Sequence, residues 1–358
     1  MAFGAHEAAS AELARLRLEY ENSRSWRLTR PLRAAGRLLR ERRLGGELDV
    51  AVPSAAKENL DGWLEHFFGE RLAEIDAACA ERATPDRFAL FRDLDDGAWA
   101  LLLTLQYEGY PHIRALLPDV PQRELQEMWT GLSGVPLAVQ TTAFYTKLRD
   151  SYARHGRKSL TDATVLDFGC GWGRLTRCLA RDVAPERLYG CDPVEHILDV
   201  CRTSGVPGKF ARSDFLPESL PFDERFDLAF AFSVFTHLSE PAHERCLRAL
   251  HRGLEPGGLL VVTVRPPPFL DFSELMLPLR DSLGAAKQPT LSDAAYLFMP
   301  HAAVPEHPQY NDQGQIDYGE TVITMSYIRD RWLALFDLLE VNLLLTDPYQ
   351  VMLTLRRK

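Results

Sequence analysis

The stretch 164–176, TVLDFGCGWGRLT, constrains this chain more than any other. Val165 and Leu166 run apolar into Asp167; glycines follow at 169, 171 and 173; a helix-compatible segment comes next. Strand, glycine turn and helix in that order form the opening unit of an α/β sheet, because glycines allow a tight backbone turn and close approach of a ligand. The texture after Lys158 agrees. Candidate strands at 163–168, 187–192, 207–211, 226–232 and 258–264 alternate with candidate helices at 173–181, 194–204 and 240–252. Strands separated by helices imply parallel pairing through crossovers. A stretch at 266–320 reads as an irregular insertion, followed by a helix at 326–337. The last two apolar runs, LLEVNLLL and YQVMLTL, are joined by the short turn Thr346-Asp347-Pro348, which predicts an antiparallel pair.

The turn also limits its ligand. A dinucleotide fingerprint reads G-x-G-x-x-G, with pyrophosphate on the helix N-terminus. Here the spacing is D-x-G-x-G-x-G, which suits a ligand without phosphates, and the acid before it suits a cationic ammonium. S-adenosylmethionine meets both conditions. Asp192, 19 residues after Gly173, ends the next strand, where a carboxylate can accept both ribose hydroxyls. Asp214 and Phe215 follow the third strand and can meet the adenine edge and face. The run FDLAFAFSVFTHL is a buried strand whose end, Ser233 to His237, opens on the crevice beyond the strand ends, where open α/β sheets place ligands. The acids have plainer readings too: Asp167 as a helix cap, Asp192 as a turn residue before Pro193, Asp214 as the cap of the next segment. Cys170 reads as packing, and Trp172 as covering the ligand mouth.

Taken together, VLDFGCGWGRLTRCL, YGCDPVEHIL, FDLAFAFSVFTHLSE and LHRGLEPGGLLVVTV resemble class I S-adenosylmethionine-dependent methyltransferases. The resemblance is strong over 160–265 and extends to 358 through the closing helix and strand pair. It implies a Rossmann-like seven-stranded sheet of order 3-2-1-4-5-7-6 with the last strand antiparallel. It implies that Asp167, Gly169, Gly171 and Gly173 line the methionine portion of the cofactor, Asp192 the ribose, and Asp214 and Phe215 the adenine, with Ser233 also on the cofactor. Amide and nucleobase N-methyltransferases of this class usually carry an N/D-P-P-Y/F motif at the fourth strand end. This chain has Ala231-Phe232-Ser233-Val234 there, which disfavours those acceptors. No acidic cluster of the metal-dependent catechol type is evident, so no metal is expected. His237 is the best-placed base or positioner, and its other reading is a helix-start residue packed beside the cofactor. Within the insertion, His307, Tyr310, Asp312 and Tyr318 suit either sugar recognition or an ordinary lid, and His301 is a weaker candidate.

Charge divides the chain. The formal total is −9, yet 22–43 holds eight arginines and one acid and is +7; the 21 residues before it are −2, which leaves −14 on 44–358. An acidic body argues against nucleic acid as a partner. At 100° per residue, Leu28, Leu32, Ala35 and Leu39 share one helix face while Arg30, Arg33, Arg37 and Arg40 share the other. Such a basic amphipathic helix suits an anionic membrane surface, or docking to a partner. SRSWRLTRPLR also looks like a segment of bacterial surface-polysaccharide enzymes, glycosyltransferases and their companion methyltransferases. It favours a glycan acceptor, with a small metabolite and a non-catalytic scaffold subunit as rivals. The expected organisation is an arm at 1–46, a helical cap at 57–155 and a cofactor-binding domain at 156–358. No signal peptide or transmembrane run is visible, and six cysteines without a CxxC pair read as reduced thiols, which together suggest a cytoplasmic protein, peripheral on the membrane through its arm.

Overall fold

The structure, a computed structural model, describes residues 61–81, 87–104, 109–283, 293–301 and 317–358. The arm at 1–46 and the insertion residues His307, Tyr310 and Asp312 lie outside them.

Strands β1 (Val165–Phe168), β2 (Leu188–Asp192), β3 (Lys209–Arg212), β4 (Phe226–Ala231) and β5 (Leu254–Val264) form the parallel part of a seven-stranded sheet. The closing strands β8 (Phe336–Leu343) and β9 (Val351–Arg357) complete it in the order β3-β2-β1-β4-β5-β9-β8. β9 runs antiparallel to both neighbours. This is the expected order. The chain reverses its strand order between β1 and β4, and that switch point sets the crevice at the carboxyl ends of the strands.

The central strands are buried on both faces, as parallel strands covered by helices must be. Their side chains alternate between two cores. Val165, Leu228, Phe230, Leu259, Val261 and Met352 face α1 (Asp61–Glu81), α2 (Asp96–Thr104) and α5 (Gly134–His155). Leu166, Ala229, Ala231, Leu260, Val262 and Leu353 face α8 (Glu240–Gly253) and α11 (Met325–Arg331). Between these, α3 (Pro111–Leu116), α4 (Arg123–Thr130), α6 (Arg174–Leu179) and α7 (Glu195–Thr203) complete the helices around the glycine turn. On α1, Leu64, Leu72 and Ile75 are buried on one face, but Phe67 is 66 % exposed. At 100° per residue Phe67 lies about 100° from the middle of the buried stripe, beyond its edge.

Two expectations need correction. The insertion is not wholly irregular: it carries short helices α9 (Phe269–Phe272) and α10 (Leu277–Ser282), and β6 (Tyr296–Pro300) pairs antiparallel with β7 (Gly319–Ile323). The closing helix stops at Arg331, because Phe336 already begins β8 and is buried in the sheet's second core. Among the described residues no helix is long and apolar enough to cross a membrane.

Candidate active site

The glycine turn leaves β1 and enters α6 through three left-handed residues, Gly169 (φ +74°), Gly171 (φ +52°) and Gly173 (φ +75°). The requirement is steric at Gly169, where an added Cβ would run into the Val234 side chain. That contact also brings the turn against the segment that follows β4. The amides of Gly169 and Cys170 both donate to the Cys191 carbonyl, at 2.8 and 3.0 Å, so the turn is tied to β2 through its backbone.

Asp192, at the end of β2, completes the tie. One carboxylate oxygen accepts from the Gly171 amide and the other from the Val194 amide, each at 3.0 Å. Asp192 therefore holds the turn in shape, and each oxygen keeps a lone pair for a ligand. Burial pushes its pKa up to about 6, against the two amides. Asp167 is buried at the end of β1 and accepts from the Thr176 hydroxyl at 2.6 Å. Burial pushes its pKa up to about 7, opposed by Thr176 and Arg174. It does not cap the helix, because Gly173 occupies that position.

Beside the turn, Leu137, Trp172, Val194 and Ile197 form an apolar cluster with Trp129 and Phe215 packed against it. Phe215 is half-buried at the edge of this cluster, and Asp214 is exposed. Trp172 is buried under the Arg177 guanidinium, 4.8 Å from its ring, so it is core and does not cover the mouth. Cys170 is buried packing, as expected. Trp129, on α4, approaches Gly171, and nothing in its local sequence marks it.

The opposite wall is polar. Ser233 follows β4 with φ +60°, a left-handed conformation costing a non-glycine residue about 1–3 kcal/mol. Its amide donates to Thr263 Oγ1 at 2.7 Å, its Oγ lies 3.4 Å from His237 Nε2, and Gln350 Nε2 donates to that Oγ at 3.0 Å. His237 Nδ1 is 2.7 Å from the Gly319 carbonyl. A carbonyl only accepts, so Nδ1 carries the proton and Nε2 keeps its lone pair toward Ser233 and Arg265 Nη2, the latter at 3.3 Å. Burial, with Arg265 and His301 adding to it, holds His237 well below the ordinary histidine range, so the ring is neutral at pH 7. Tyr318 stacks on the ring, with centroids 5.1 Å apart and planes 16° from parallel.

Arg265, immediately after β5, was not anticipated. It is ion-paired with Glu320 on β7, donates to the Thr236 carbonyl at 3.1 Å and stacks over Phe269. Ligand-capable atoms of His237, His301 and Glu320 all lie within 4.8 Å of one another, a set able to hold a metal ion that the sequence reading did not assemble. The Arg265 guanidinium already contacts two of the three and supplies the positive charge there.

Residues 165–258 match a protein-family model described as a methyltransferase domain. Over this stretch the chain is similar to a methyltransferase domain. The residues present fit the cofactor of such domains, S-adenosyl-L-methionine: a left-handed glycine turn closed to a side chain at Gly169, two buried carboxylates and an apolar flank. Among curated relatives, a ubiquinone biosynthesis O-methyltransferase of Methylobacterium sp. (strain 4-46) is 33 % identical over 122 residues, covering 31 % of this chain and 47 % of the relative. A trans-aconitate 2-methyltransferase of Variovorax paradoxus (strain S110) is 29 % identical over 126 residues, covering 34 % and 48 %. The chain thus spans about half the length of the curated relatives it matches. A glycopeptide N-methyltransferase crystallised with sinefungin aligns with a TM-score of 0.39 at 15 % identity, over 60 % of this chain and 94 % of that one. The similarity to this methyltransferase domain does not extend to an acceptor.

Proposed function

We propose that the chain transfers a methyl group from S-adenosylmethionine to an acceptor oxygen, and that the acceptor is a sugar hydroxyl of a glycan or glycolipid. The observation that carries the reading is the contact of the two walls. Gly169, in the turn held by Asp192, abuts Val234, one residue from Ser233 and three from His237. When bound, the cofactor supplies an electrophilic methyl group on a sulfonium. Asp192 would take the ribose hydroxyls through its remaining lone pairs, Asp167 would face the cationic amino acid end, and Phe215 would flank the adenine. His237 is neutral, and its Nε2 lone pair, which also accepts from Arg265 Nη2, would be shared with the acceptor hydroxyl. Arg265 lowers its proton affinity, so it acts first as a positioner and only secondarily as a base.

The glycan assignment draws on Tyr318, 37 % exposed and stacked on His237, which offers a flat aromatic face beside the hydroxyl-recognising group. It draws as well on the surface-polysaccharide resemblance of SRSWRLTRPLR, 23–33. A small-metabolite acceptor is the second reading, favoured by the names of the curated relatives. Transfer from tritium-labelled S-adenosylmethionine to nucleotide sugars, lipid-linked glycans, phenols and small carboxylic acids separates the two. Labelling of the sugar-bearing acceptors is expected; labelling of the phenols or acids alone would replace the glycan with a metabolite. Within this proposal the protein is cytoplasmic, and its arm meets either an anionic membrane or a glycosyltransferase. Failure of the full chain to sediment with phosphatidylglycerol vesicles would remove the membrane partner.

A further inference from the structure

Gln350 belongs to no sequence motif and lies in the turn between β8 and β9. Register fixes its place: Val351 pairs with Val264, so Gln350 stands beside Arg265 at the carboxyl edge of the sheet. Its side chain is only 5 % exposed. Its Nε2 donates to Ser233 Oγ, while its Oε1 is buried with no hydrogen-bond partner among the described residues. A buried carbonyl oxygen left unpaired is destabilising, and native structures rarely leave one so. Two donors close by in the fold bond to other groups. The Arg265 guanidinium serves Thr236, His237 and Glu320, and the Ser233 amide serves Thr263. The amide of Gln350 therefore grips the strained Ser233 with one end, on the hydroxyl that faces His237, and carries an unpaired acceptor oxygen at the other.

We infer that Gln350 is an acceptor-positioning residue, its side-chain carbonyl taking a hydrogen bond from a hydroxyl or amine N–H of the molecule to be methylated. This rests on the methyltransferase reading and narrows it. An ionised carboxylate has no proton to give and would be repelled by Oε1, so carboxylic acids are rejected as acceptors.

The test compares the full chain with Gln350→Met, which keeps length and loses both polar atoms. Three quantities are measured: melting without ligand, affinity for S-adenosylhomocysteine, and tritium transfer to methyl glycosides, catechol, primary amines and tricarboxylic acids. The variant is expected to melt within about 3 °C of the wild type, the unpaired buried oxygen and the hydrogen bond to Ser233 Oγ being lost together, and to bind S-adenosylhomocysteine within twofold. Its KM for the hydroxyl or amine acceptor should rise at least tenfold with kcat changed less than threefold. Melting about 3 °C or more below the wild type would make Gln350 a structural residue and overturn the inference. So would unchanged kinetics, or preferential labelling of the tricarboxylic acids. If nothing in the set is labelled, the melting comparison still decides. Failure of the methyltransferase reading would show separately, as wild-type protein that does not bind S-adenosylhomocysteine.

Discussion

The two walls of the crevice are built in opposite ways. The cofactor wall is local: Asp167 meets Thr176 nine residues on, and Asp192 meets Gly171 from 21 residues away. The acceptor wall is assembled from afar: Ser233 meets Thr263 across 30 residues, His237 meets Gly319 across 82, and Gln350 meets Ser233 across 117. A short-range turn is written in one stretch of sequence and holds a ligand shared by many enzymes. A long-range polar cluster draws on loops free to vary, and such loops carry specificity. The family match over 165–258 takes in the cofactor wall together with Ser233 and His237, and ends before Thr263, Arg265, Glu320 and Gln350.

The comparison predicts that damage to one wall spares the other. The largest effect is expected for Asp192→Ala. It removes two backbone hydrogen bonds to a carboxylate together with the ribose contact, and should weaken S-adenosylmethionine binding by about 100-fold or more, each such charged bond being worth ~1.5–3 kcal/mol. Calorimetry and circular dichroism together would check it. Unchanged affinity in folded protein would leave Asp192 as a turn residue only. Next comes His237→Ala. Turnover should fall by about 10–100-fold while cofactor affinity stays within twofold, a positioning loss at the low end of acid–base effects. Equal loss of both would mean that His237 belongs to the cofactor wall.

A smaller and graded effect is expected from pH. Asp167 and Asp192 have folded-state pKa values raised to about 7 and about 6. Ionising them inside the empty protein is unfavourable, so their contribution to stability falls as pH rises from the ordinary aspartate range through these values. A cationic amino acid end needs the ionised form of Asp167. Cofactor binding should therefore expel a proton below pH 7 and weaken by about tenfold per pH unit as Asp167 protonates. Titrations from pH 5 to 8 would measure the slope. A flat profile would take Asp167 away from the ammonium.

Legibility followed the same line. The antiparallel closing pair, the glycine turn and both strand-end acids could be read because each depends on residues close in sequence or on alternation within a strand, whereas the sheet order came only through the family resemblance. His237 and Ser233 could be placed because they follow β4 directly. Arg265 follows β5 just as directly, in VVTVR, and its position was a usable signal. Gln350 and Glu320 had none: a turn glutamine and an edge-strand glutamate become site residues only once β9 lies beside β5 and Gly319 meets His237. Trp172 misled because it sits between glycines expected to face the ligand, whereas the left-handed Gly173 turns the chain and the indole lies under Arg177.

The measurement that bears most directly on the central claim is calorimetric titration of the full chain with S-adenosylmethionine and, separately, with NAD. The tightened turn and its two buried carboxylates predict micromolar binding of the first and none of the second, with Asp192→Ala abolishing the signal. Binding of NAD, or no binding of S-adenosylmethionine by demonstrably folded protein, would contradict the assignment of the crevice.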